Sequence, residues 1–537
     1  MGSRLCASHF CFIALFILFY FIVFLSICIM VRTIKTALIS VFDKEGLEEI
    51  ILKLNELGVV IYSTGGTRTF IEELGVHVEK VEELTGYPSI LDGRVKTLHP
   101  KVFGGILAIR NEDHLSQLAE YMIPTLDLVV VDLYPFEDTV SAGKSYEDII
   151  EKIDIGGISL IRAGAKNHLD VVVIPSKNQY SDLKTILESG LGESTLEQRR
   201  YLAAEAFKVS SHYDTAIFNY LADANQREAV FKSSVMSGTP LRYGENPHQM
   251  ASYFGNLDKV FEKLNGKELS FNNLVDIDAA VQLMKEFKSD LPTFAILKHT
   301  NPCGVASRPT ALEAWEAALQ ADPVSAFGGV LISNAKIDLN TAQQIDKIFY
   351  EVLIAPDYDD DAIKLLMANT KRNLLKLKSW PEFQKVFKSL LNGVIVQDAD
   401  ISDESSHNSE VKTNKKPTVS EIVDMDFGII CAKHLKSNTI VLVKDKQMLG
   451  MGCGHTSRID ACQQAIDKAK KYGFDLQGSV MISDAFFPFP DCVELAVNEG
   501  ITAVAQPGGS IKDQLSIDFC NAHNISMVFT GIRHFRH

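Results

Sequence analysis

Short apolar segments alternate with segments of helical periodicity along most of this chain. TALISVF is typical of a buried strand, KEGLEEIILKLNEL repeats its apolar residues at helical spacing, and VVIYS predicts a second strand. DLVVVDLYPF and DVVVIP predict further strands, and residues 196–222 predict a long helix. This alternation is typical of a parallel sheet covered by helices on both faces, so the sequence predicts an α/β fold.

The periodicity weakens between residues 223 and 237, and TPLRYGENPHQ begins a second body. With 537 residues, the chain is long enough for more than one hydrophobic core. FAILKH, ALEAWEAALQA, SAFGGVLIS and TIVLVKD predict α/β structure in this part as well. A polar interval over residues 398–417 either separates two α/β subdomains or forms an exposed insertion. We therefore predict a first domain over residues 30–222 and a second over residues 223–537.

An unbroken apolar run, CFIALFILFYFIVFLSICIM, precedes these domains and extends from Cys11 to Met30. It is long enough to cross a bilayer as a helix, and no small-residue cleavage site follows it. The α/β pattern starts directly after a second methionine, Met30. We therefore expect residues 1–29 not to belong to the folded protein, which would then be cytoplasmic. A membrane anchor formed by residues 11–29 is the alternative.

Charge and cysteine content exclude some classes of protein. A net charge of −15 argues against a general nucleic-acid binder, because neutralising phosphates requires a basic surface. The nine cysteines lack the paired spacing of a zinc knuckle and the density of a small secreted domain. We expect a reducing compartment, where most of them pack as small apolar residues.

The STGGT turn after VVIYS is the first candidate for binding a phosphate. Ser63, Thr64, Gly65, Gly66 and Thr67 would bring backbone amides and hydroxyls to the start of a helix, where anions are favoured. The spacing matches neither a dinucleotide fingerprint nor a P-loop. A plain turn closed by a threonine cap is the alternative.

The segment LDGRVKTLHPKVFGG carries basic side chains framed by glycine and proline. Arg94 and Lys96 are two residues apart, so both would point the same way on an extended segment, with His99 close behind. Such a pair could bind a phosphate or polarise a carbonyl. A solvated basic edge is the alternative.

A further polar group lies in IDIGGISLIRAGAKNH. Asp154, a Gly-Gly turn, Arg162, Lys166 and Asn167 follow one another near the start of a helix. Open α/β sheets build their binding sites at the ends of strands and the starts of helices. We therefore expect these side chains to contribute to a site.

Together these segments resemble one known family over nearly everything from Met30 to His537. SVFDKEGL, STGGT, GRVKTLHP, LYPF and DIGGISLIRAGAKNH are similar to the cyclohydrolase half of the bifunctional purine biosynthesis proteins. The transformylase half is similar to LRYGENPHQ, KHTNPCG, DPVSAFGG, IAPDY, SNTIVL, GHTSRIDAC and SDAFFPFPD. The resemblance implies an α/β protein with a methylglyoxal synthase-like cyclohydrolase domain and a transformylase domain of two cytidine deaminase-like subdomains. It also implies an intertwined homodimer.

The resemblance implies two consecutive reactions. The first transfers a formyl group from the co-substrate 10-formyltetrahydrofolate to aminoimidazole carboxamide ribotide (AICAR), giving the formylated ribotide FAICAR. The second closes FAICAR to inosine monophosphate (IMP). No divalent metal is implied, and the sequence lacks the P-C-x-x-C element that supplies two cysteine ligands in the metal-dependent deaminases. A monovalent cation is left open.

For formyl transfer, the resemblance implies that neutral His299 accepts the amine proton. Lys298 would stabilise the developing oxyanion or protonate the leaving folate nitrogen, with Asn438 near the formyl group. Adjacent side chains on a strand face opposite ways, so we expect an Asn301-Pro302 turn to lift the Lys-His pair out of its strand. The implied ribotide contacts are Arg242, Tyr243, His248, Glu351, Arg458 and Arg533. The implied folate contacts are Phe487, Pro488 and Phe489.

Ring closure is intramolecular, so positioning and oxyanion stabilisation could supply most of the acceleration. The implied catalytic residues are Lys96, Tyr134, Asp154 and Lys166. The implied contacts to the phosphate and its surroundings are Ser40, Lys44, Ser63, Gly65, Gly66, Thr67, Arg94 and Thr97. Three positions depart from the family pattern: Phe42 replaces a serine, Glu351 an aspartate and Arg536 a histidine. We expect these departures to change ligand affinity, and Phe42 to remove one phosphate contact.

Two rival functions are weighed against this one. The first domain alone could serve as a nucleotide-binding regulatory module, or the chain could be a membrane-tethered scaffold with a decayed enzyme fold. Lys96, Asp154, Lys166, Lys298 and His299 are all present, which argues against decay.

Overall fold

The computed structural model describes residues 31–189, 191–382, 385–402 and 409–537. The apolar run over residues 11–30, with its two interpretations, lies outside these ranges. The chain divides into two compact units between Met236 and Ser237. The domain boundary between residues 222 and 223, predicted from the loss of periodicity, stays a prediction. Within the described residues, no helix is both long and apolar enough to span a membrane.

The strands of the first unit are β1 (Arg32–Thr33), β2 (Thr36–Ser40), β3 (Val60–Ser63), β4 (Glu79–Lys80), β5 (Leu128–Val131), β6 (Val172–Ile174) and β7 (Glu193–Ser194). Its helices are α1 (Leu47–Glu56), α2 (Gly65–Glu73), α3 (Val81–Thr85), α4 (Pro100–Leu107), α5 (Glu112–Glu120), α6 (Phe136–Ser141), α7 (Tyr146–Ile150), α8 (Gly156–Lys166), α9 (Tyr180–Ser189), α10 (Leu196–Leu221) and α11 (Ala224–Ala229). Short 3₁₀ turns lie at Leu91–Gly93 and Lys177–Gln179.

Five strands of the first unit form one parallel sheet in the order β4-β3-β2-β5-β6. Alternate residues of β5 enter different cores: Leu128 and Val130 pack on one face, and Val129 and Val131 on the other. A sheet buried on both faces needs continuous apolar strands, which explains why LVVV shows no polar alternation. The predicted α/β fold is therefore confirmed for this unit.

The strands of the second unit are β8 (Gly238–Leu241), β9 (Ala251–Phe254), β10 (Phe261–Asn265), β11 (Thr293–Lys298), β12 (Asn301–Ser307), β13 (Val330–Ser333), β14 (Val352–Ala355), β15 (Asn373–Leu377), β16 (Lys385–Leu390), β17 (Gly393–Asp398), β18 (Glu410–Val411), β19 (Ile440–Lys444), β20 (Gln447–Gly452), β21 (Val480–Ser483), β22 (Ala503–Gln506) and β23 (Ser526–Phe529). Its helices are α12 (Phe271–Glu286), α13 (Ala311–Ala321), α14 (Leu339–Ile345), α15 (Asp360–Met367), α16 (Val419–Lys433), α17 (Arg458–Lys471), α18 (Asp491–Asn498) and α19 (Asp513–Ala522), with a 3₁₀ turn at Leu257–Lys259.

The second unit repeats one plan twice. A helix, an antiparallel hairpin, a second helix and three parallel strands separated by helices run from α12 to β15, and again from α16 to β23. The two hairpins meet edge to edge, where Ala306 of β12 pairs with Gln447 of β20, so one sheet of twelve strands runs through both halves. The predicted pair of α/β subdomains is therefore present.

Candidate functional site

The first unit collects polar residues at the carboxyl edge of its parallel sheet. Ser40 ends β2, Ser63 ends β3, and Asp132 follows β5 directly. These three strands are neighbours and parallel, so their ends share one edge, where α/β sheets place their binding sites. The Ser63 hydroxyl is buried and donates to the Ile39 carbonyl at 2.7 Å.

Two lysine ammonium groups approach the STGGT turn at this edge. Gly65 and Gly66 open α2, and Gly65 has a φ of +56°, a conformation that favours glycine. A Cβ at Gly65 would lie 2.9 Å from Lys96 Nζ, and one at Gly66 would lie 4.0 Å from Lys44 Nζ. Exposed amides at a helix start together with two cations form a setting that attracts a phosphate.

The two threonines assigned to this site are buried. The Thr67 hydroxyl accepts the Val41 N–H at 3.1 Å and donates to the Val41 carbonyl at 2.9 Å, so it holds the loop after β2 in place. Thr97 Oγ1 would lie 3.0 Å from a Cβ at Gly156, the first residue of α8. Gly156 therefore allows the Thr97 loop to approach the start of that helix closely.

Arg94 and Lys96 do not lie on an extended segment, so that expectation was wrong. Gly93 has a φ of +84°, and residues 91–97 form a 3₁₀ turn followed by further turns. Arg94 donates to Glu151 Oε2 at 2.5 Å in a largely exposed pair, whereas Lys96 points at Gly65. The physical reason is that glycine permits a left-handed turn, which removes the alternation of side chains that a strand would impose.

Asp154 lies two residues before the first residue of α8 and is held by two hydrogen bonds. Its Oδ1 accepts the Gly157 N–H at 2.6 Å, and its own N–H donates to the Tyr213 hydroxyl at 2.9 Å. Burial and the nearby Asp132 carboxylate raise the pKa of Asp154, while the Gly157 N–H and Lys96 act in the opposite direction. Lys96 and Asp154 are thus a cation and a carboxylate of one site.

Tyr134 adds a phenol beside Asp154. Burial and the Asp154 and Glu151 carboxylates raise the pKa of Tyr134, so it is a neutral hydrogen-bond donor at physiological pH. Its ring packs edge-on against Phe42 with centroids 5.5 Å apart. Lys152 Nζ lies 5.6 Å and 5.4 Å from the Phe42 and Tyr134 ring centres. Phe42, a departure from the family pattern, therefore lies next to an assigned catalytic residue.

Within one chain, Lys166 does not lie beside Lys96, Tyr134 and Asp154. It is the last residue of α8, an 11-residue helix whose other end carries Asp154. At a rise of about 1.5 Å per residue, Gly156 and Lys166 are about 15 Å apart along the helix axis. Lys166 is exposed at that far end.

Sequence reasoning missed Asp132 in DLYPF. Its carboxylate accepts the backbone N–H groups of Phe42 and Asp43 at 2.5 Å and 3.0 Å, and burial raises its pKa. It thereby fixes the loop that carries Lys44, whose ammonium donates to the Phe42 carbonyl at 2.7 Å. The available signal was its position as the first polar residue after a buried parallel strand.

In the second unit, Lys298 and His299 lie at the turn of the β11–β12 hairpin. His299 and Thr300 have φ values of +53° and +65° and form the turn itself. The turn predicted at Asn301-Pro302 was misplaced, because both residues belong to β12. Lys298 remains the last residue of β11, paired with Asn301, so only His299 leaves the strand. Lys298 Nζ donates to the Phe327 carbonyl at 2.8 Å, and His299 is exposed.

Asn438 and Arg458 are joined in the other half of this unit. Arg458 Nη2 donates to Asn438 Oδ1 at 2.9 Å and to Asp484 Oδ1 at 3.0 Å, while the Asn438 amide donates to the His455 carbonyl at 2.9 Å. The Arg458 side chain is 9% exposed, so its guanidinium mainly faces protein oxygens. Cys453 Sγ lies 3.7 Å from Asn301 Oδ1, which brings this loop beside the β11–β12 hairpin.

The remaining ribotide residues are spread over three segments. Arg242 lies 5.5 Å from the Tyr243 ring centre at the end of β8, and His248 is exposed in the loop that follows. The Glu351 N–H donates to the Gly329 carbonyl at 3.0 Å just before β14. Arg533 is exposed and lies 4.3 Å from the Phe535 ring centre near the C-terminus.

The folate residues divide into a buried and an exposed part. Phe487 is 0% exposed and packs in the core between α17 and β22, with its N–H donating to Gln506 Oε1 at 3.0 Å. Its ring has no face open to a ligand in this conformation. Pro488 is exposed and lies at the start of a bend. Phe489 is 49% exposed, with Lys512 Nζ 4.1 Å from its ring centre.

Two family models match the chain, and several relatives match it over nearly its whole length. A model of the AICARFT/IMPCHase bienzyme family matches residues 164–468, and a model of the MGS-like domain matches residues 46–159. The bifunctional purine biosynthesis protein PurH of Bacteroides thetaiotaomicron is 59% identical over 507 residues, 94% of this chain and 99% of the relative. Proteins of the same name from Thermoanaerobacter sp. (strain X514) and Chlorobium chlorochromatii are 46% and 44% identical over 94% of this chain and 100% and 99% of their own lengths.

Proposed function

This chain belongs to the bifunctional purine biosynthesis proteins, and we propose that its two reactions are divided between its two units, with ring closure at the carboxyl edge of the first sheet and formyl transfer at the β11–β12 hairpin of the second unit. The enzyme catalyses the last two steps of IMP synthesis: formyl transfer from 10-formyltetrahydrofolate to AICAR, then closure of FAICAR. The observation that supports ring closure in the first unit is the approach of the Lys96 ammonium to the STGGT turn, with the Asp154 carboxylate nearby.

Ring closure needs a bound phosphate and charge control at the reacting atoms. We assign the phosphate to the start of α2, because Lys44 and Lys96 approach its free amides. Asp154 would orient the attacking carboxamide or accept its proton, and a raised pKa suits a carboxylate that takes up a proton. Lys96 and Tyr134 would donate to the oxyanion that forms as the ring closes.

Formyl transfer needs a base, because the AICAR amine is a poor nucleophile. We assign His299 as the base, since its imidazole lies exposed on a sharp turn that leaves it accessible to a ligand. Lys298 would stabilise the oxyanion on the formyl carbon. Asn438 would contact the formyl group, with its amide oriented by Arg458 and the His455 carbonyl.

We expect both steps to survive removal of divalent metal ions. The reason lies in the sequence, which lacks the P-C-x-x-C element that provides the cysteine zinc ligands of the deaminases. Residues 30–537 are to be purified, treated exhaustively with a chelator, and assayed for IMP from AICAR and 10-formyltetrahydrofolate. Restoration of a chelated, inactive enzyme by stoichiometric zinc would refute this. Absence of both steps in the untreated enzyme would instead favour a scaffold.

We propose that the enzyme is a homodimer, in which the β16–β17 hairpin contacts a second copy. All twelve residues of these two strands are exposed. Val394 and Val396 lie on one face, and Val386, Leu390 and Ile395 on the other. In the described part of the chain, β16 and β17 pair only with each other. A lone hairpin is marginally stable in water, so two apolar faces on it argue for a partner.

Ile395→Asp should therefore shift the enzyme from dimer to monomer, because the new charge would be buried against the second copy. Sedimentation equilibrium at micromolar concentration measures the shift. Lys364→Ala, which removes an exposed side chain on α15 outside the hairpin, serves as the control and should remain dimeric. An unchanged mass for Ile395→Asp would exclude the hairpin as the contact.

We also infer a place for a monovalent cation near Asp484. Its Oδ2 is buried and has no hydrogen-bond partner among the described residues, while its Oδ1 accepts from Arg458. A buried carboxylate oxygen without a donor is costly, and a bound cation would offset that cost. Asp484 and the neighbouring Thr439 carbonyl, which accepts the Asp484 N–H at 3.3 Å, would supply oxygen ligands.

A cytoplasmic location is proposed on the state of the cysteines. Six cysteines in the described residues are free thiols, and five of them are buried. Free buried thiols are typical of proteins from reducing compartments. Recovery of peptides from residues 1–29 in the natural protein would overturn the expectation that this segment is absent.

A further inference from the structure

A buried carboxylate outside the assigned residues joins the two halves of the second unit. Asp322 caps the C-terminal end of α13 and is 3% exposed. Its Oδ2 lies 2.8 Å from Lys468 Nζ, and its Oδ1 accepts the Tyr472 hydroxyl at 2.6 Å. Lys468 is on α17, and Tyr472 caps the C-terminal end of that helix. The Asp322 carboxylate therefore connects the C-terminal end of α13, in the first half of the unit, to that of α17, in the second half.

The same carboxylate anchors the loop that leads to β13. Asp322 Oδ1 also accepts the Ser325 N–H at 2.9 Å, and the Ala326 N–H donates to the Asp322 carbonyl at 3.1 Å. Burial alone would raise the pKa of Asp322, but the bonds from Lys468, Ser325 and Tyr472 outweigh it and hold the pKa well below its usual range. The loop therefore starts at an ionised Asp322 whose two carboxylate oxygens both accept hydrogen bonds.

This loop reaches Lys298 at its other end. The Phe327 carbonyl accepts from Lys298 Nζ at 2.8 Å. The next residue, Gly328, has a φ of +75°, and its N–H donates to the Phe349 carbonyl at 2.8 Å. A left-handed residue fixed at this point sets the direction of the Phe327 carbonyl. The Lys298 ammonium thus takes its position from a loop that is held at Asp322.

We propose that Asp322, held by Lys468 and Tyr472, is a positioning residue for Lys298 in formyl transfer. It acts through the loop over residues 322–329 and the Phe327 carbonyl. The inference rests on the assignment of Lys298 to formyl transfer. Misplacing a reacting group by about 1 Å can cost about 10²-fold in rate, so loosening this anchor has a measurable effect.

The test compares Asp322→Asn, Lys468→Met and Lys468→Arg. We expect the first two to lower kcat of formyl transfer by about 10- to 100-fold with little change in the KM for AICAR, because Lys298 acts on the transition state. Lys468→Arg should retain most activity, since it keeps the cation. Closure of supplied FAICAR, catalysed by the first unit, should be unchanged in every variant.

Two controls separate positioning from loss of folding. Lys364→Met removes an exposed ion pair with Asp361 in the same unit and should leave kcat unchanged. Tyr472→Phe removes one hydrogen bond from Asp322 and retains the ring, so it serves if Asp322→Asn unfolds, as judged by thermal melting. Unchanged kcat in folded Asp322→Asn and Lys468→Met, or an equal loss in Lys364→Met, would overturn the proposal.

A double-mutant cycle tests the route through Lys298. In a Lys298→Met background, Asp322→Asn should cause no further loss in single-turnover formyl transfer, because residues that act through one another are not additive. Losses that multiply would refute the route. Full activity of Lys298→Met alone would instead refute the assignment of Lys298, so the two failures are distinguishable.

Discussion

His299→Ala should nearly abolish formyl transfer and leave closure of supplied FAICAR unchanged. A positioned base contributes about 10²- to 10⁴-fold, and the AICAR amine cannot attack well without one. His299 is exposed on the β11–β12 turn, so removing its imidazole should not disturb a core. The measurements are steady-state formyl transfer and, on the same preparation, conversion of FAICAR to IMP.

The matched control for this variant is His523→Ala. His523 is an exposed histidine of the same unit, stacked on Phe519 after α19 and outside the assigned site. It should retain both activities. Comparable loss of both steps in a folded His299→Ala enzyme would contradict a division of the reactions between two units. Normal formyl transfer would remove His299 from the mechanism.

The elements with strong local patterns could be predicted from the sequence. ALEAWEAALQA coincides with α13, because Thr310 and Glu313 form a capping box that sets its start. FAILKH was predicted as a strand and lies in β11 apart from its last residue, which turns. In both segments, the pattern that predicts the structure lies within a few consecutive residues.

Turns were predicted less well than strands and helices. The alternating basic residues around Arg94 predict an extended segment, yet Gly93 turns the chain. His299 and Thr300 adopt positive φ although neither is glycine, so no residue type marked the turn. Such conformations are imposed by surrounding contacts, here the bond from the Thr300 N–H to Asp276 Oδ1 at 2.6 Å.

Parts of the site that depend on long-range contacts could not be predicted. Asp322 meets Lys468 and Tyr472 across the junction of two subdomains, which are far apart in the chain. The aromatic segment at Phe487 gave no sign of which ring would be buried, since both outcomes are common for phenylalanine. In contrast, the positions of Ser63 at a strand end and of Gly65 at a helix start followed from the chain order of strand, glycine turn and helix, and their binding of a phosphate stays a prediction.

Asp154→Ala should slow ring closure by about 10²- to 10³-fold and make FAICAR accumulate, because a positioned proton acceptor contributes about 10²- to 10⁴-fold in other enzymes. The isosteric Asp154→Asn keeps the hydrogen bond to the Gly157 N–H, so it separates the effect on catalysis from the effect on stability.

Because burial raises the pKa of Asp154, its ionised form is disfavoured in the folded state. The stability it contributes is present at low pH and is lost as pH rises through the pKa. Asp154→Asn should therefore not destabilise the enzyme at neutral pH.

The same pKa direction predicts the pH dependence of closure. As the pH falls, Asp154 becomes protonated at a higher pH than an ordinary aspartate does. The acid limb of the pH profile of kcat/KM should therefore lie at higher pH in the wild type. That limb should be absent from the residual activity of Asp154→Asn. Single-turnover closure of purified FAICAR, corrected for the uncatalysed rate, measures both quantities. An unchanged acid limb in the variant would remove Asp154 as the titrating group.

Lys166→Ala is the second arm of this prediction, and the family resemblance implies a comparable loss. Within one chain Lys166 lies about 15 Å from the start of α8, so such a loss requires a second copy of the chain to supply Lys166. Mixing inactive Asp154→Ala and Lys166→Ala subunits should then restore about a quarter of the sites, since half of the dimers are mixed and one of their two sites is intact. No restoration after subunit exchange would exclude a shared site. A near-normal rate for Lys166→Ala alone would remove Lys166 from the mechanism, and an ordinary surface lysine would account for it.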